Sequence, residues 1–289
     1  MIKLKNKREK NMNRQSIFTA LLLCVTLYAP LALFGQSQNF EMDGTVLVRY
    51  RGIEANVVIP EGVTVIGVHA FSMYSGLTSV TIPKSVIIIG DFAFAGCSSL
   101  TSVTIPESVI SVGHNAFAYC YSLTSVTIQE GVINIGHNAF AYCNSLTSVT
   151  IPSSVFLIRD SAFFSCSSLI NITISSGVAY IGYNAFDNTA WLNMQPAGLV
   201  YAGKVLYTYK GTMTANAVIN NIQADTIAIA VGAFFERDSL TSITIPPSVT
   251  SIGNYAFLGC DNLKTVTVSK KTTIGEDVFS RGVQITYSD

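Results

Sequence analysis

The chain has 289 residues, of which 49% are hydrophobic and only 12% carry a charge. This apolar content is ample for a large core and excludes an intrinsically disordered chain. The 17 basic and 17 acidic side chains cancel in number, but the N-terminus holds an excess of basic residues.

The first 35 residues have the composition of a secretory signal peptide. Six basic residues precede an uncharged apolar run, Ile17–Phe34, and this order is typical of export signals. We expect residues 1–35 to be a cleaved signal peptide, with a short membrane anchor as the alternative interpretation of the run. Met12 is an alternative start. The residue before Cys24 is not the small one that a lipoprotein signal needs.

The charge of the mature chain limits its partners. Removal of residues 1–35 takes away six basic residues and one acidic residue, which leaves a net charge of about −5. Such a surface does not favour nucleic acid or anionic lipid. We expect a secreted or cell-surface protein with no membrane span in the mature chain.

The chain repeats itself from residue 59 to residue 289. An Ala-Phe pair recurs every 23 residues, and a fixed period of this length indicates a solenoid. Segment 36–58, which contains Phe40 to Tyr50, precedes the repeat and is predicted to be an N-terminal cap. The regular pairs are Ala70-Phe71, Ala93-Phe94, Ala116-Phe117, Ala139-Phe140, Ala162-Phe163 and Ala185-Phe186, and the pattern resumes at Ala233-Phe234 and Ala256-Phe257.

Each repeat unit begins with an extended strand. In one unit, Val80 and Ile82 share one face of the strand, and Ser79 and Thr81 share the other. Pro83 ends the strand because proline has no backbone donor. The strand is therefore predicted to bury its aliphatic face and expose its hydroxyl face.

The second half of the unit returns the chain to the start of the next coil. Val86 and Ile89 are predicted to point inward, Gly90 to permit a tight bend, and Ala93 and Phe94 to close the coil. One coil cannot fold alone, because ordering each residue costs about 1–2 kcal/mol of backbone entropy. Stacked coils bury each other's open faces. The prediction is a right-handed, β-rich solenoid with a parallel sheet on one face and short or helical turns on the other.

The pattern S-L-T-S-V-T-I-P, followed by S-V-x-x-I-G-x-x-A-F-x-x-C, resembles the BspA-type leucine-rich repeat family of bacterial surface proteins. The resemblance covers residues from about 40 to 289. It implies an exported adhesin or antigen that binds host proteins or other cells. It implies no catalytic residues and no cofactor.

One coil is irregular. Phe186 and Phe234 are 48 residues apart, and the irregular coil spans 187–222. Gly198 to Gly211 alternates apolar and polar residues about Ala202-Gly203, which predicts a β-hairpin. The aromatic residues of this coil have two interpretations: they form a binding surface, or they cover the core where two coil stacks meet. These residues are Trp191, Tyr201, Tyr207 and Tyr209.

Five cysteines share one coil position. Because exported proteins often contain disulfides, bridges between neighbouring coils are one interpretation. The other is a column of buried thiols that act as small apolar fillers, since stacked side chains point the same way. These residues are Cys97, Cys120, Cys143, Cys166 and Cys260.

A second column contains Asp91, His114, His137 and Asp160. Neighbouring imidazole and carboxylate groups can hold a metal or titrate together. The structural interpretation is a cap residue before a short turn. A hydrolase or metal-dependent enzyme would depend on this column alone, and we assign no catalytic, cofactor-binding or metal-binding residue.

Two groups of residues form the candidate binding surface. One is a flat, uncharged hydroxyl face for protein or glycan, and the other is a cluster of tyrosines near the turns. Exposed strand positions favour Ser and Thr in any case, and some of the rings could simply pack on the core. The hydroxyl residues are Ser79, Thr81, Ser102, Thr104, Ser125, Thr127, Ser148 and Thr150, and the tyrosines are Tyr119, Tyr121 and Tyr142.

These features favour a non-catalytic adhesion or protein-binding role, with host matrix proteins or glycans as candidate partners. The alternative is a passive structural or envelope scaffold without a specific ligand.

Overall fold

The computed structural model describes residues 39–288. The predicted signal peptide, 1–35, lies outside the described residues, as does the start of the predicted cap. Within the described residues, no helix is long and apolar enough to cross a membrane.

The chain forms a β-solenoid, as predicted, in which each regular coil contributes one strand to each of two sheets. Sheet 1 is formed mainly by two-residue strands and begins with an antiparallel hairpin of β1 and β2. Its strands are β1 (Phe40–Asp43), β2 (Val46–Tyr50), β4 (Val65–Ile66), β6 (Ile88–Ile89), β8 (Ser111–Val112), β10 (Asn134–Ile135), β12 (Leu157–Ile158) and β14 (Tyr180–Ile181).

Sheet 2 is the parallel sheet that the hydroxyl pattern predicts. Each strand pairs with the equivalent strand of the next coil, so that Val103 lies opposite Val126 and Thr104 opposite Thr127. Its strands are β3 (Asn56–Val58), β5 (Ser79–Thr81), β7 (Ser102–Ile105), β9 (Ser125–Ile128), β11 (Ser148–Ile151) and β13 (Asn171–Ile174).

The irregular coil divides the solenoid. It contains a short helix, α1 (Ala190–Met194), and the antiparallel hairpin of β15 (Gly198–Ala202) and β16 (Val205–Lys210). Sheet 3 continues from this hairpin through β18 (Ala228–Ile229), β20 (Ser251–Ile252) and β22 (Thr273–Ile274). Sheet 4 comprises β17 (Ala217–Ile219), β19 (Leu240–Thr244), β21 (Thr265–Ser269) and β23 (Gln284–Ser288).

Stacked phenylalanines form the centre of the core. Phe94 and Phe117 are fully buried, with ring centroids 5.0 Å apart and planes inclined by 5°. The column from Phe71 to Phe186 keeps centroid spacings of 4.9–5.6 Å. Offset stacking of this kind adds about 0.5–1.5 kcal/mol per pair to the free energy of burial. The 23-residue period therefore places identical aromatic rings in contact.

The bend expected at Gly90 begins there, since Ala93 N donates to Gly90 O at 3.3 Å, but the positive φ lies two residues later. Gly90 does not have a positive φ, whereas Phe92 has φ 55° and Gly96 has φ 73°. Glycine suits position 90 because a Cβ there would lie 2.7 Å from the carbonyl oxygen of Ile66 in the preceding coil. The tight bend is therefore present, but close backbone approach, and not a positive φ, explains the glycine.

Candidate functional site

The eight predicted hydroxyl residues lie in two columns along sheet 2. Ser102 pairs with Ser125 and Thr104 with Thr127, and these side chains are exposed while the alternating Val and Ile side chains are buried. Ser79, Thr81, Ser148 and Thr150 extend the same columns. We call Ser79, Thr81, Ser102, Thr104, Ser125, Thr127, Ser148 and Thr150 the hydroxyl face.

A neighbouring threonine column has a structural role that the sequence did not reveal. The Thr101 hydroxyl donates to the carbonyl of Thr78 at 3.2 Å, and the Thr124 hydroxyl donates to that of Thr101 at 3.0 Å. These hydroxyls stabilise the contact between coils and use their single donor within the stack. In the hydroxyl face, Ser79 donates to Asn56 Oδ1 at 2.6 Å, whereas among the described residues Thr104 and Thr127 have no hydrogen-bonded side-chain partner.

The three predicted tyrosines lie together. The rings of Tyr119 and Tyr142 stack with centroids 4.9 Å apart, and Tyr121 meets Tyr119 edge-on at 6.2 Å. Phe164, which the sequence analysis missed, meets Tyr142 edge-on at 5.6 Å. Its signal was a large ring at a coil position that Ala118 occupies elsewhere. We call Tyr119, Tyr121, Tyr142 and Phe164 the aromatic edge.

The tyrosines of the aromatic edge lie at a left-handed position that recurs along the repeat, where Met73, Ser165 and Glu236 also have a positive φ. Tyr119 and Tyr142 have φ 62° and 61°, in the left-handed region, where a residue with a Cβ costs about 1–2 kcal/mol. The same column contains Gly96 and Asn188 in other coils, and these residue types adopt this conformation readily. The Tyr119 side chain nevertheless remains 44% exposed.

The five described cysteines are free and fully buried. Each thiol donates to the carbonyl of the phenylalanine 26 residues earlier, for example from Cys143 Sγ to Phe117 O at 3.2 Å. Burial raises the pKa of Cys97 to about 12. Of the two interpretations of this column, the structure has buried thiols and no bridges.

The Asp/His column joins successive coils through backbone hydrogen bonds. Asp91 Oδ1 accepts from the backbone N–H of His114 at 2.7 Å, and His114 Nδ1 accepts from that of His137 at 3.0 Å. Asp91 and His114 therefore cap the next coil rather than their own turn. His137 Nδ1 lies 3.3 Å from Asp160 Oδ2. Desolvation lowers the pKa of His137, and it outweighs the opposing effect of Asp160.

No metal cluster supports an enzymatic interpretation of that column. Within residues 39–288, no three His, Cys, Asp or Glu side chains are grouped so that they could hold a metal ion. The side chains of the column are instead occupied by contacts between coils.

The aromatic residues of the irregular coil cover the core. Trp191 meets Phe186 edge-on at 5.5 Å, and Tyr207 is buried against the same ring at 5.5 Å. Tyr209 packs near Phe234 at 6.3 Å, on the other side of the break. These rings replace the interrupted phenylalanine column, so the core-covering interpretation is correct.

Comparison with known families gives a match over most of the chain. The family model described as "BspA type Leucine rich repeat region" matches this chain in six copies, which cover residues 53–163, 88–195 and 207–288. No catalytic family is indicated. No curated protein sequence matches the chain.

Several solved structures are similar. A leucine-rich cell surface protein from Faecalibacterium prausnitzii is 23% identical, over 91% of this chain and 96% of its own, with a TM-score of 0.52. The T. pallidum leucine-rich repeat protein is 26% identical, over 79% and 90%, with a TM-score of 0.45. A leucine-rich repeat protein from Bacteroides capillosus is 31% identical, over 49% and 98%, with a TM-score of 0.33. The first of these supports the same fold.

Proposed function

Because the chain belongs to the BspA-type leucine-rich repeat family, we propose that it is an exported, non-catalytic protein that binds other proteins through its aromatic edge and hydroxyl face. Residues 1–35 would direct the export. A protein of the same fold from F. prausnitzii is described as a cell surface protein, which supports a location outside the cytoplasm.

The exposed tyrosine stack carries this proposal. The left-handed backbone of Tyr119 and Tyr142 recurs at this position throughout the repeat, for example at Met73, and belongs to the coil itself. What sets the two residues apart is that their rings stack at the surface of adjacent coils. This stacking contributes about 0.5–1.5 kcal/mol. Exposed tyrosines are also enriched where proteins bind one another.

The hydroxyl face adds area beside this edge. Tyr121 is only four residues before Ser125 in the chain, so a ligand on the aromatic edge would extend readily onto sheet 2. The columns carry no charge and their hydroxyls both donate and accept hydrogen bonds. A flat, uncharged surface of this kind suits a protein partner with a polar rim.

Binding of the mature chain to immobilised collagen, laminin and fibronectin tests the proposal. In the edge variant, Tyr119→Asn and Tyr142→Asn place in both positions the residue that Asn188 already provides at φ 60°. In the face variant, Thr104→Asp and Thr127→Asp add charge to sheet 2. The control variant carries Thr212→Asp and Thr214→Asp, which are exposed and lie outside both surfaces.

We expect the edge variant to lose at least about tenfold in affinity, because hot-spot tyrosines are often worth 2 kcal/mol or more. The face variant should bind more weakly than the control. Equal binding by all three variants would remove both surfaces from consideration. Binding to none of the three proteins by the unmodified chain, together with self-association, would favour a passive scaffold instead.

A further inference from the structure

A polar notch of about 150 Å³ opens where the repeat is interrupted. One wall is the loop that follows β14, with Tyr183 and Asp187, and the other is the loop that follows β18, with Phe235 and Arg237. Strand β16 forms the floor, through Tyr207 and Thr208. The notch lies in a different coil from the aromatic edge.

The notch exists because one loop is missing from the stack. In regular coils, alternate loop N–H groups donate to the next loop, as Phe163 N does to Ala185 O at 2.8 Å. In the layer stacked on Phe186, strand β16 takes the place of the loop, and it offers no loop carbonyl. Phe186 N donates instead to the hydroxyl of Tyr207 at 3.0 Å. Among the described residues, Asn184 N has no such acceptor.

Two charged residues appear in the notch where the repeat has small ones. Asp187 occupies the coil position of Ala95, and Arg237 occupies that of Cys97. Within residues 39–288, neither residue forms an ion pair, with the other or with a third group. Both departures from the repeat occur at the break.

Each charged group has only part of its hydrogen-bonding capacity occupied. Asp187 Oδ1 accepts from the buried Tyr207 hydroxyl at 2.6 Å, which fixes the carboxylate. Arg237 Nη2 donates to Tyr209 O at 2.9 Å, while Arg237 Nε is buried without a partner among the described residues. A fixed carboxylate acceptor and an arginine side chain thus line one cavity. Hydrogen bonds to charged groups are worth about 1.5–3 kcal/mol each, so a polar ligand that meets both would gain from them.

The lining selects the kind of ligand. The opposite formal charges of Asp187 and Arg237 favour neither an anion nor a cation. Hydroxyl groups match both, because each donates once and accepts twice. The rings of Tyr183 and Phe235 stand edge-on at 6.3 Å at the same notch and supply apolar contact. Convergent polar groups beside aromatic rings are typical of small-ligand sites.

We propose that the notch between the Asp187 and Arg237 loops binds one neutral sugar unit of a glycan. The Asp187 carboxylate accepts from ring hydroxyls, and the Arg237 guanidinium and the Asn184 N–H donate to them. The inference is independent of protein binding at the aromatic edge. It would give the protein a second, carbohydrate-directed site.

The single tryptophan provides the readout. Trp191 lies 6.4 Å from the ring of Tyr207, which forms part of the floor of the notch. Trp191 fluorescence of the mature chain is titrated with glucose, galactose, mannose and N-acetylglucosamine, and separately with glycine and inorganic phosphate. We expect a saturable change with at least one sugar and none with glycine or phosphate.

The variants are chosen to remain folded. Asp187→Asn keeps an oxygen that can accept from Tyr207, and Arg237→Cys restores the residue of the regular column. Each should weaken sugar binding about tenfold or more, because hydrogen bonds to charged groups are lost. Asp261→Asn is the matched exposed control and should bind normally, as should Tyr119→Asn.

Four results would overturn the inference. They are the absence of a saturable response to every sugar, a response to glycine or phosphate alone, undiminished sugar binding by both notch variants, and equal loss in Asp261→Asn. The sugar titration of the unmodified chain decides the matter even if a notch variant fails to fold. Failure here leaves the matrix-protein assays untouched, because Tyr119 and the notch are tested by different ligands.

Discussion

Removal of one ring from the middle of the phenylalanine column should destabilise the whole stack. Phe140 is fully buried and stacks on Phe117 and Phe163, with centroids 5.3 Å away on each side. Phe→Ala substitutions in cores cost about 3–5 kcal/mol, and the two lost stacking contacts add about 0.5–1.5 kcal/mol each. We expect Phe140→Ala to lower the free energy of unfolding by at least about 4 kcal/mol.

Urea denaturation followed by circular dichroism and by Trp191 fluorescence measures this change. In a solenoid each coil contacts only its neighbours, so a weak coil divides the stack and lowers cooperativity. The two signals should therefore separate in the variant, because Trp191 lies two coils beyond Phe140.

The control is Phe156→Ala, which removes the same ring from a site that is 40% exposed. It should cost less than about 1 kcal/mol. Equal costs for the two variants, or a cost below about 1 kcal/mol for Phe140→Ala, would show that the stacked column does not stabilise the fold.

Three further predictions follow from single columns. Desolvation lowers the pKa of His137 below 6.5, so the unfolded chain binds a proton at this residue more tightly than the folded chain does. The contribution of His137 to stability is therefore present above pH 6.5 and is lost on acidification. In denaturant titrations, His137→Asn should flatten the fall in unfolding free energy below that pH. Burial raises the pKa of Cys97 to about 12 and that of Cys260 to about 11, so the native mature chain should not react with a thiol reagent until urea unfolds it. Tyr119→Asn should change the thermal unfolding free energy by less than about 1 kcal/mol, since relief of left-handed strain offsets the lost stacking; a larger loss would mean that the ring is needed for folding.

The sequence predicted the parts of the fold that recur. The Ala-Phe period located the stacked column, and the alternation of Val103 with Ser102 and Thr104 predicted the exposed and buried faces of sheet 2. The strands of sheet 1 were not predicted, because a strand as short as Ile88–Ile89 contains no alternation to detect. They form because the neighbouring coil supplies the hydrogen bonds.

The candidate surfaces were less predictable than the fold. The clustering of Tyr119, Tyr121 and Tyr142 followed from their spacing, but the left-handed backbone of their column, shared by Met73 and Glu236, has no signal in residue type. Asp187 and Arg237 are distant in sequence and meet only because β16 runs straight where a loop is expected. A repeat pattern predicts only the positions that recur, so it cannot predict the contacts formed where the repeat is interrupted.

That limit indicates where function arises in a repeat protein. A residue in a regular column is held by its equivalents above and below, as Thr101 is by Thr78 and Thr124, so its hydrogen bonds are already satisfied within the stack. In the described part of the chain, Thr104 and Thr127 show that an exposed strand hydroxyl can stay unpaired within a regular column, but a partly buried polar group is left unpaired more readily where an equivalent neighbour is absent or different. Tyr119 beside Gly96, and Arg237 Nε beside the missing loop, meet that condition. Regular coils therefore act mainly as a rigid support, and departures from the repeat provide the chemistry.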